Sequence, residues 1–232
     1  MTLVKSLGAL CVSLAMLAGT GASGQQPAAG ARLIPPPTDA ASPVERAPDV
    51  FRVKLETSKG AIVIETRRAW APRGADRWYQ LVRIGYYDGV RFTRVVKGKW
   101  AQFGINGDPA VARAWRERTI PDEPRVLSNT RGTVAFAFAV PDGRTTQVFI
   151  NLKDNAATHD AEPFVPFGRV VEGMSVVDAL YDGYGENAGS GIRSGKQGPI
   201  FDGGNAYLEQ EFPRLDFIVR ATVLPEPPAP RK

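Results

Sequence analysis

Between Phe51 and Val223 the chain breaks into about eight short stretches in which apolar and polar residues alternate, separated by turn-forming residues. Phe51, Val53 and Leu55 interleave with Arg52, Lys54 and Glu56, and Ser58-Lys59-Gly60 then turns the chain into Ala61–Thr66. Alternation around a short turn is the signature of a β-hairpin. The same reading predicts strands over Val90–Val96, Trp100–Phe103, Thr133–Phe138, Gln147–Asn151, Phe164–Val171 and Asp216–Val223. Eight strands are enough to close a barrel whose interior is just filled by side chains. Two stretches carry a helical stripe instead. Ala71, Ala75, Trp78 and Val82 fall on one face of Ala71–Ile84, with Pro72 in the first turn and Gly85 past the end. Met174, Val177 and Tyr181 form a shorter stripe closed by Gly183. Two helices are too few for alternating β-α-β units, so they are expected to cap the ends of an antiparallel barrel.

The flanks are of another kind. Lys5, the apolar run Leu7–Ala18 and the small residues Gly19–Gly24 have the layout of a secretory signal. The run is too short to span a bilayer. Residues 1–24 are therefore read as a signal segment removed after Ala22 or Gly24, which places the mature chain in the periplasm. Residues 25–49, rich in Ala and Pro, read as an extended linker, residues 50–224 as the folded domain, and residues 225–232 as a Pro-rich tail. The chain of 232 residues has one Cys, inside the leader run, and one His, which excludes a disulfide framework and a Cys/His zinc site. A net charge of +5 is too small to argue for nucleic acid. No phosphate-binding G-x-x-x-x-G-K-[ST] occurs, because Gly195-Lys196 is followed by Gln197, and the glycine-rich stretch Asp182–Gly204 reads as surface loop. His159, with no nucleophile-elbow motif to serve, likewise reads as a loop histidine.

Arg94 is the informative polar residue. Strand alternation sets it between Phe92 and Val96 on an apolar face, where an arginine must be paired or border a cleft. A structural salt bridge, to Asp122 or Glu123, and a cleft both satisfy that demand. Gln102, between Ala101 and Phe103, and Gln147, before Val148-Phe149, are further polar residues among apolar strands.

Several ordered motifs resemble the cyclophilins, a family of peptidyl-prolyl cis-trans isomerases. Val53-Lys54-Leu55-Glu56-Thr57 and Gly60 are similar to the opening hairpin of bacterial members, and Phe92-Thr93-Arg94-Val95-Val96 to the family's F-H-R-V-I. Ala101-Gln102-Phe103-Gly104 resembles C-Q-G-G, Gly132–Ala137 resembles G-x-L-S-M-A, Thr146–Ile150 resembles S-Q-F-F-I, and Phe167–Met174 resembles F-G-x-V-x-E-G-M. The resemblance runs from Val53 to Val223 and implies a closed eight-stranded antiparallel barrel capped by two helices. It implies a catalytic Arg94, a substrate-contacting Gln102, and a proline pocket built from Phe136, Ala137, Phe149 and Phe164, with no cofactor and no metal. It also implies proline-containing polypeptide clients, exported here, and a monomer. Lys99, Phe138 and Phe164 replace a pocket Phe, an Asn and a His of the family, and its W-L-D-G-K-H stretch is replaced by His159–Phe164. That altered rim leaves a second function open, a module that binds proline-containing chains and barely isomerises them. Trp100 has no assigned place in the pocket.

Overall fold

The computed structural model describes residues 45–189, 191 and 194–225. The signal segment, most of the linker and the tail beyond Pro225 lie outside these residues. Eight strands form one antiparallel sheet: β1 (Val50–Thr57), β2 (Gly60–Arg67), β3 (Arg94–Val96), β4 (Trp100–Phe103), β5 (Thr133–Phe136), β6 (Val148–Asn151), β7 (Pro166–Glu172) and β8 (Ile218–Val223). Their spatial order is β3-β4-β6-β5-β7-β2-β1-β8. In the first hairpin Val53 faces Ile64 and Leu55 faces Ile62, so the alternating apolar residues meet on the buried side. The hairpin turns through two residues, and Gly60 takes it with φ +134.

The expected closed barrel is seen as a curled sheet with β3 and β8 at its two ends. Those ends are joined through the segments that precede them. Arg91 bridges Phe217, Phe92 N donates to Asp216 O at 2.9 Å, and Ile218 N donates to Val90 O at 2.8 Å.

The inner face of the sheet is filled by Val53, Leu55, Ile62, Ile64, Phe103, Val134, Phe136, Val148, Ile150 and Phe167, all buried. Helix α1 (Pro72–Arg83) closes over it, starting on Pro72 and ending in front of Gly85, as the stripe predicts. Its Trp78 is fully buried, with ring centroids 4.8 Å from Tyr87 and 5.6 Å from Phe167.

Two helices are too few. The second expected helix is a single short turn, α4 (Met174–Asp178), and three more are present: α2 (Pro109–Arg116), α3 (Ala156–His159) and α5 (Gly198–Glu211). Helix α2 is capped by Asp108, whose Oδ1 accepts from Ala110 N at 2.8 Å. Helices α2 and α5 share a second apolar cluster, with Ala112 packed among Ile200, Phe201 and Leu208. Helix α5 bends at Gly204, where φ is +56 and an added Cβ would lie 2.1 Å from Gly107 O. Only glycine permits that approach. Packing begins before Val50: Ala47 is buried in the main core, and its N–H donates to Asp76 Oδ1 at 2.9 Å. No helix among the described residues is long and apolar enough to cross a membrane.

Candidate active site

Strand register assembles the site. Arg94 on β3 pairs with Gln102 on β4, Gln102 with Phe149 on β6, and Phe149 with Ala135 on β5. These four residues form one row across the outer face of the sheet. Side chains two residues along a strand share a face, so Trp100, Gln147 and Ala137 lie beside that row. The intervening residues, Ala101, Phe103, Val148 and Phe136, point into the core.

This parity corrects the expected place of Phe136. It is fully buried, its ring centroid lies 5.0 Å from Phe167, and it belongs to the core and not to the pocket wall. The pocket on β5 is bounded by Ala135 and Ala137. The expected face of Arg94 also changes. The strand starts at Arg94, so Val96 shares its face, while Phe92 precedes the strand and sits in the core.

Phe149, Ala137, Phe164, Gln102 and Arg94 line a common cavity of about 210 Å³, joined by Trp100, Phe138, His159 and Gly191. Phe149 is 4% exposed and forms its floor. Phe164 stands edge-on to Phe149, centroids 5.3 Å apart, and packs against Phe138 at 4.6 Å. Lys99, which replaces a family aromatic, is exposed in the turn after β3, and Trp100 supplies the ring at this side instead. The substitution of Phe103 for a family glycine has no bearing on the pocket, because Phe103 points inward onto Trp78, Tyr87 and Phe92.

His159 is not a surface-loop residue. Its ring stacks on Phe149 with centroids 5.4 Å apart and planes 30° apart, and meets Trp100 and Phe164 edge-on at 5.4 and 4.9 Å. Asp160 and Asn155 fix it there. Asp160 accepts from Ser128 Oγ, from Asn129 N at 3.0 Å and from Asn129 Nδ2 at 2.8 Å, while Asn155 Nδ2 donates to Lys99 O at 2.9 Å. Burial pushes the Asp160 carboxyl up, but the hydrogen bonds from Ser128 and Asn129 outweigh it and hold the group below its ordinary value. Burial pushes the His159 imidazole down, so it is neutral near pH 7. Its being the lone histidine, next to the altered W-L-D-G-K-H stretch, was the available sequence signal.

The salt bridge of Arg94 is real, but its partner is neither Asp122 nor Glu123. Those two carboxylates hold the fully buried Arg144, with Arg144 Nη1 to Glu123 Oε1 at 2.8 Å. Arg94 Nε donates to Glu186 Oε1 at 2.9 Å, and its Nη2 donates to the same oxygen. Its Nη1 donates to Gln102 Oε1 at 3.1 Å, and Trp100 lies under the guanidinium with 4.6 Å from Cζ to the ring centroid. Arg94 thus satisfies both demands at once, pairing and bordering a cleft. Glu186 belongs to the glycine-rich stretch, which therefore does more than cover surface. The same stretch supplies Gln197, whose Oε1 accepts from Gln147 Nε2 at 2.8 Å, while Gln102 Nε2 donates to Gln147 Oε1 at 2.9 Å. No group of three metal-ligating side chains occurs among the described residues.

A cationic donor beside an aromatic pocket on the outer face of a curled sheet agrees with the motif resemblance. The family profile described as "Cyclophilin type peptidyl-prolyl cis-trans isomerase/CLD" matches residues 52–194, more than half of the chain. The chain belongs to this family. Among curated relatives, it is 37% identical over 139 residues to peptidyl-prolyl cis-trans isomerase cyp18 of Streptomyces antibioticus, covering 55% of this chain and 81% of that protein. It is 29% identical over 181 residues to peptidyl-prolyl cis-trans isomerase B of Escherichia coli K12, covering 75% of this chain and 99% of that protein. A crystal structure of a Cryptosporidium parvum cyclophilin shares the fold with a TM-score of 0.56 at 18% identity, covering 77% of this chain and 99% of that one. The enzyme class of this cyclophilin is peptidyl-prolyl cis-trans isomerase.

Proposed function

We propose that the groove rotates X–Pro bonds of exported polypeptides and so assists their folding, with Arg94 as the catalytic residue and the Phe149 pocket as the proline site. The observation that carries this reading is the cross-strand row Arg94, Gln102, Phe149, which sets a charged donor beside an aromatic floor. The imide barrier is about 18–20 kcal/mol because the C–N bond has partial double-bond character. Uncatalysed exchange takes about 10–100 s. In the twisted state that conjugation is broken and the prolyl nitrogen gains a lone pair. A hydrogen bond from Arg94 to that nitrogen exists mainly in the transition state and so lowers the barrier. Phe149, Phe164, Trp100 and His159 bury the proline ring, Ala137 leaves room for it, and Gln102 holds the neighbouring peptide backbone. The chemistry needs no cofactor.

Export is supported by Lys5, the apolar run Leu7–Ala18 and the small residues after it. N-terminal sequencing of protein from the cell envelope should read from residue 23 or 25, and an intact chain in the cytosol would contradict export. The enzyme reading is tested by assaying Arg94→Ala on X–Pro peptides beside its melting curve. A folded protein with kcat/KM down by about a hundred- to a thousandfold is expected, the loss typical of one transition-state donor. Arg94→Lys should not restore it, because an ammonium lacks the planar fork. A wild-type protein that binds the peptides without accelerating exchange would favour the binding-module function instead.

A further inference from the structure

We propose that Glu186 is a positioning residue for Arg94, fixing the guanidinium so that its free donors face the proline pocket. This rests on the reading of Arg94 given above. A guanidinium carries five N–H donors in one plane. In this structure Nε and Nη2 each give a donor to Glu186 Oε1, and Nη1 gives one to Gln102 Oε1. One donor on Nη1 and one on Nη2 remain for a prolyl nitrogen. Glu186 thus takes the side edge of the fork and leaves the end that the reaction uses.

The surroundings support positioning over competition. Trp100 lies against the guanidinium, and a Cβ added to Gly191 would stand 3.3 Å from Arg94 Cζ, so a side chain at position 191 would crowd the fork. Rotation of Arg94 is therefore restricted by a ring, a carboxylate and an amide. A long, flexible side chain held in one orientation pays its ordering entropy before substrate arrives. The same stretch of chain also braces the substrate-facing amides, through Gln197 on Gln147 and Gln147 on Gln102. Glu186 is half-exposed, with 51% of its side chain accessible, so its pairing contributes little to global stability. Its removal should leave a folded protein with a looser arginine.

The test measures kcat, KM and melting for the full chain, Glu186→Ala, Glu186→Gln, Arg94→Ala and the double alanine variant. Glu186→Ala should lower kcat about tenfold, less than the ~100-fold that a 1 Å misplacement can cost, with KM within about twofold and melting unchanged. Glu186→Gln keeps an acceptor oxygen and should recover most of the rate. The double variant should match Arg94→Ala, because Glu186 acts only through Arg94. A wild-type or raised kcat in Glu186→Ala, or a further loss in the double variant, would overturn the proposal while leaving Arg94 catalytic. A wild-type rate in Arg94→Ala would overturn the site reading itself.

Discussion

His159 sits where its charge state matters. Burial holds its imidazole below the usual 6.5, nearby Arg94 adds to that, and the Asn155 carbonyl with Glu162 and Asp160 acts the other way. Above about pH 6.5 the ring is neutral in the folded and unfolded chains alike. As pH falls below that, the unfolded chain takes up the proton first, so stability is lost with falling pH until the folded ring also charges. Charging the ring also puts a cation against Phe149 in the pocket. KM for an X–Pro peptide should therefore rise as the pH falls below 6.5, and His159→Phe should flatten that rise. Superimposable KM profiles for the two proteins would place the titration elsewhere. Phe149→Ala should raise KM by about ten- to a hundredfold, from the lost burial of the proline ring. It should also cost roughly 3 kcal/mol of stability, the low end for an aromatic truncation because the cavity opens to solvent. Unchanged KM and melting would remove Phe149 from the floor. Arg94, Gln102, Phe149, Ala137 and Phe164 were legible as site candidates because motif position survives divergence. Phe136 was misplaced because a motif match does not respect the two-residue parity of a strand, which turns it toward Phe167.

At the level of elements, the strands and helix α1 were legible, whereas helices α2, α3 and α5 were not. Val53, Leu55, Ile62 and Ile64 announce β1 and β2 because one face of the hairpin meets the core and the other meets water. Helix α1 was equally plain from its stripe and its Pro and Gly ends. Helix α2 covers only Pro109–Arg116, too short for a stripe to stand out, although Asp108 before Pro109 is a start signal. Helix α5 was hidden by its glycines, since Gly203 and Gly204 interrupt the pattern, and its stability comes from packing on α2. The contact between β4 and the segment entering β6 makes a local prediction. Gly104 has φ +119, and an added Cβ would stand 2.4 Å from Thr146 O and 2.6 Å from Gln147 Cα. Gly104→Ala should cost at least ~2 kcal/mol through strain and clash, and should lower kcat/KM because Gln102 and Gln147 shift with their strands. Gly98→Ala, with φ +63 and open space around it, should cost about 1 kcal/mol and leave kcat/KM unchanged. Melting and assay of the two variants side by side checks this, and equal losses in both would contradict the close approach.

On the scale of the molecule, one curled sheet carries two faces with separate duties. The inner face carries Phe103, Phe136 and Phe167, packed with Trp78 of α1 in the main core, and the outer face holds the cavity. The altered rim residues Lys99, Phe138, Phe164 and His159 lie in the connections between strands and outside the main core cluster, so the rim can vary without disturbing the core. The start of the packed region belongs to this scale too. The chain from residue 45 to 225 should melt with the full chain, whereas one beginning at Val50 loses the buried Ala47 and its bond to Asp76. A loss of about 1–2 kcal/mol there would lower Tm by a few degrees at this size, and equal Tm values would make residues 45–49 dispensable. The central claim is that this outer face accelerates imide rotation through Arg94 rather than only gripping proline. Exchange spectroscopy on an X–Pro peptide, with the full chain at catalytic concentration, measures cis–trans interconversion directly. Wild-type protein should bring exchange from tens of seconds into the sub-second range, and Arg94→Ala should bind the peptide with similar affinity yet return exchange close to the uncatalysed rate. Exchange in the Arg94→Ala sample as fast as in wild type would contradict the account.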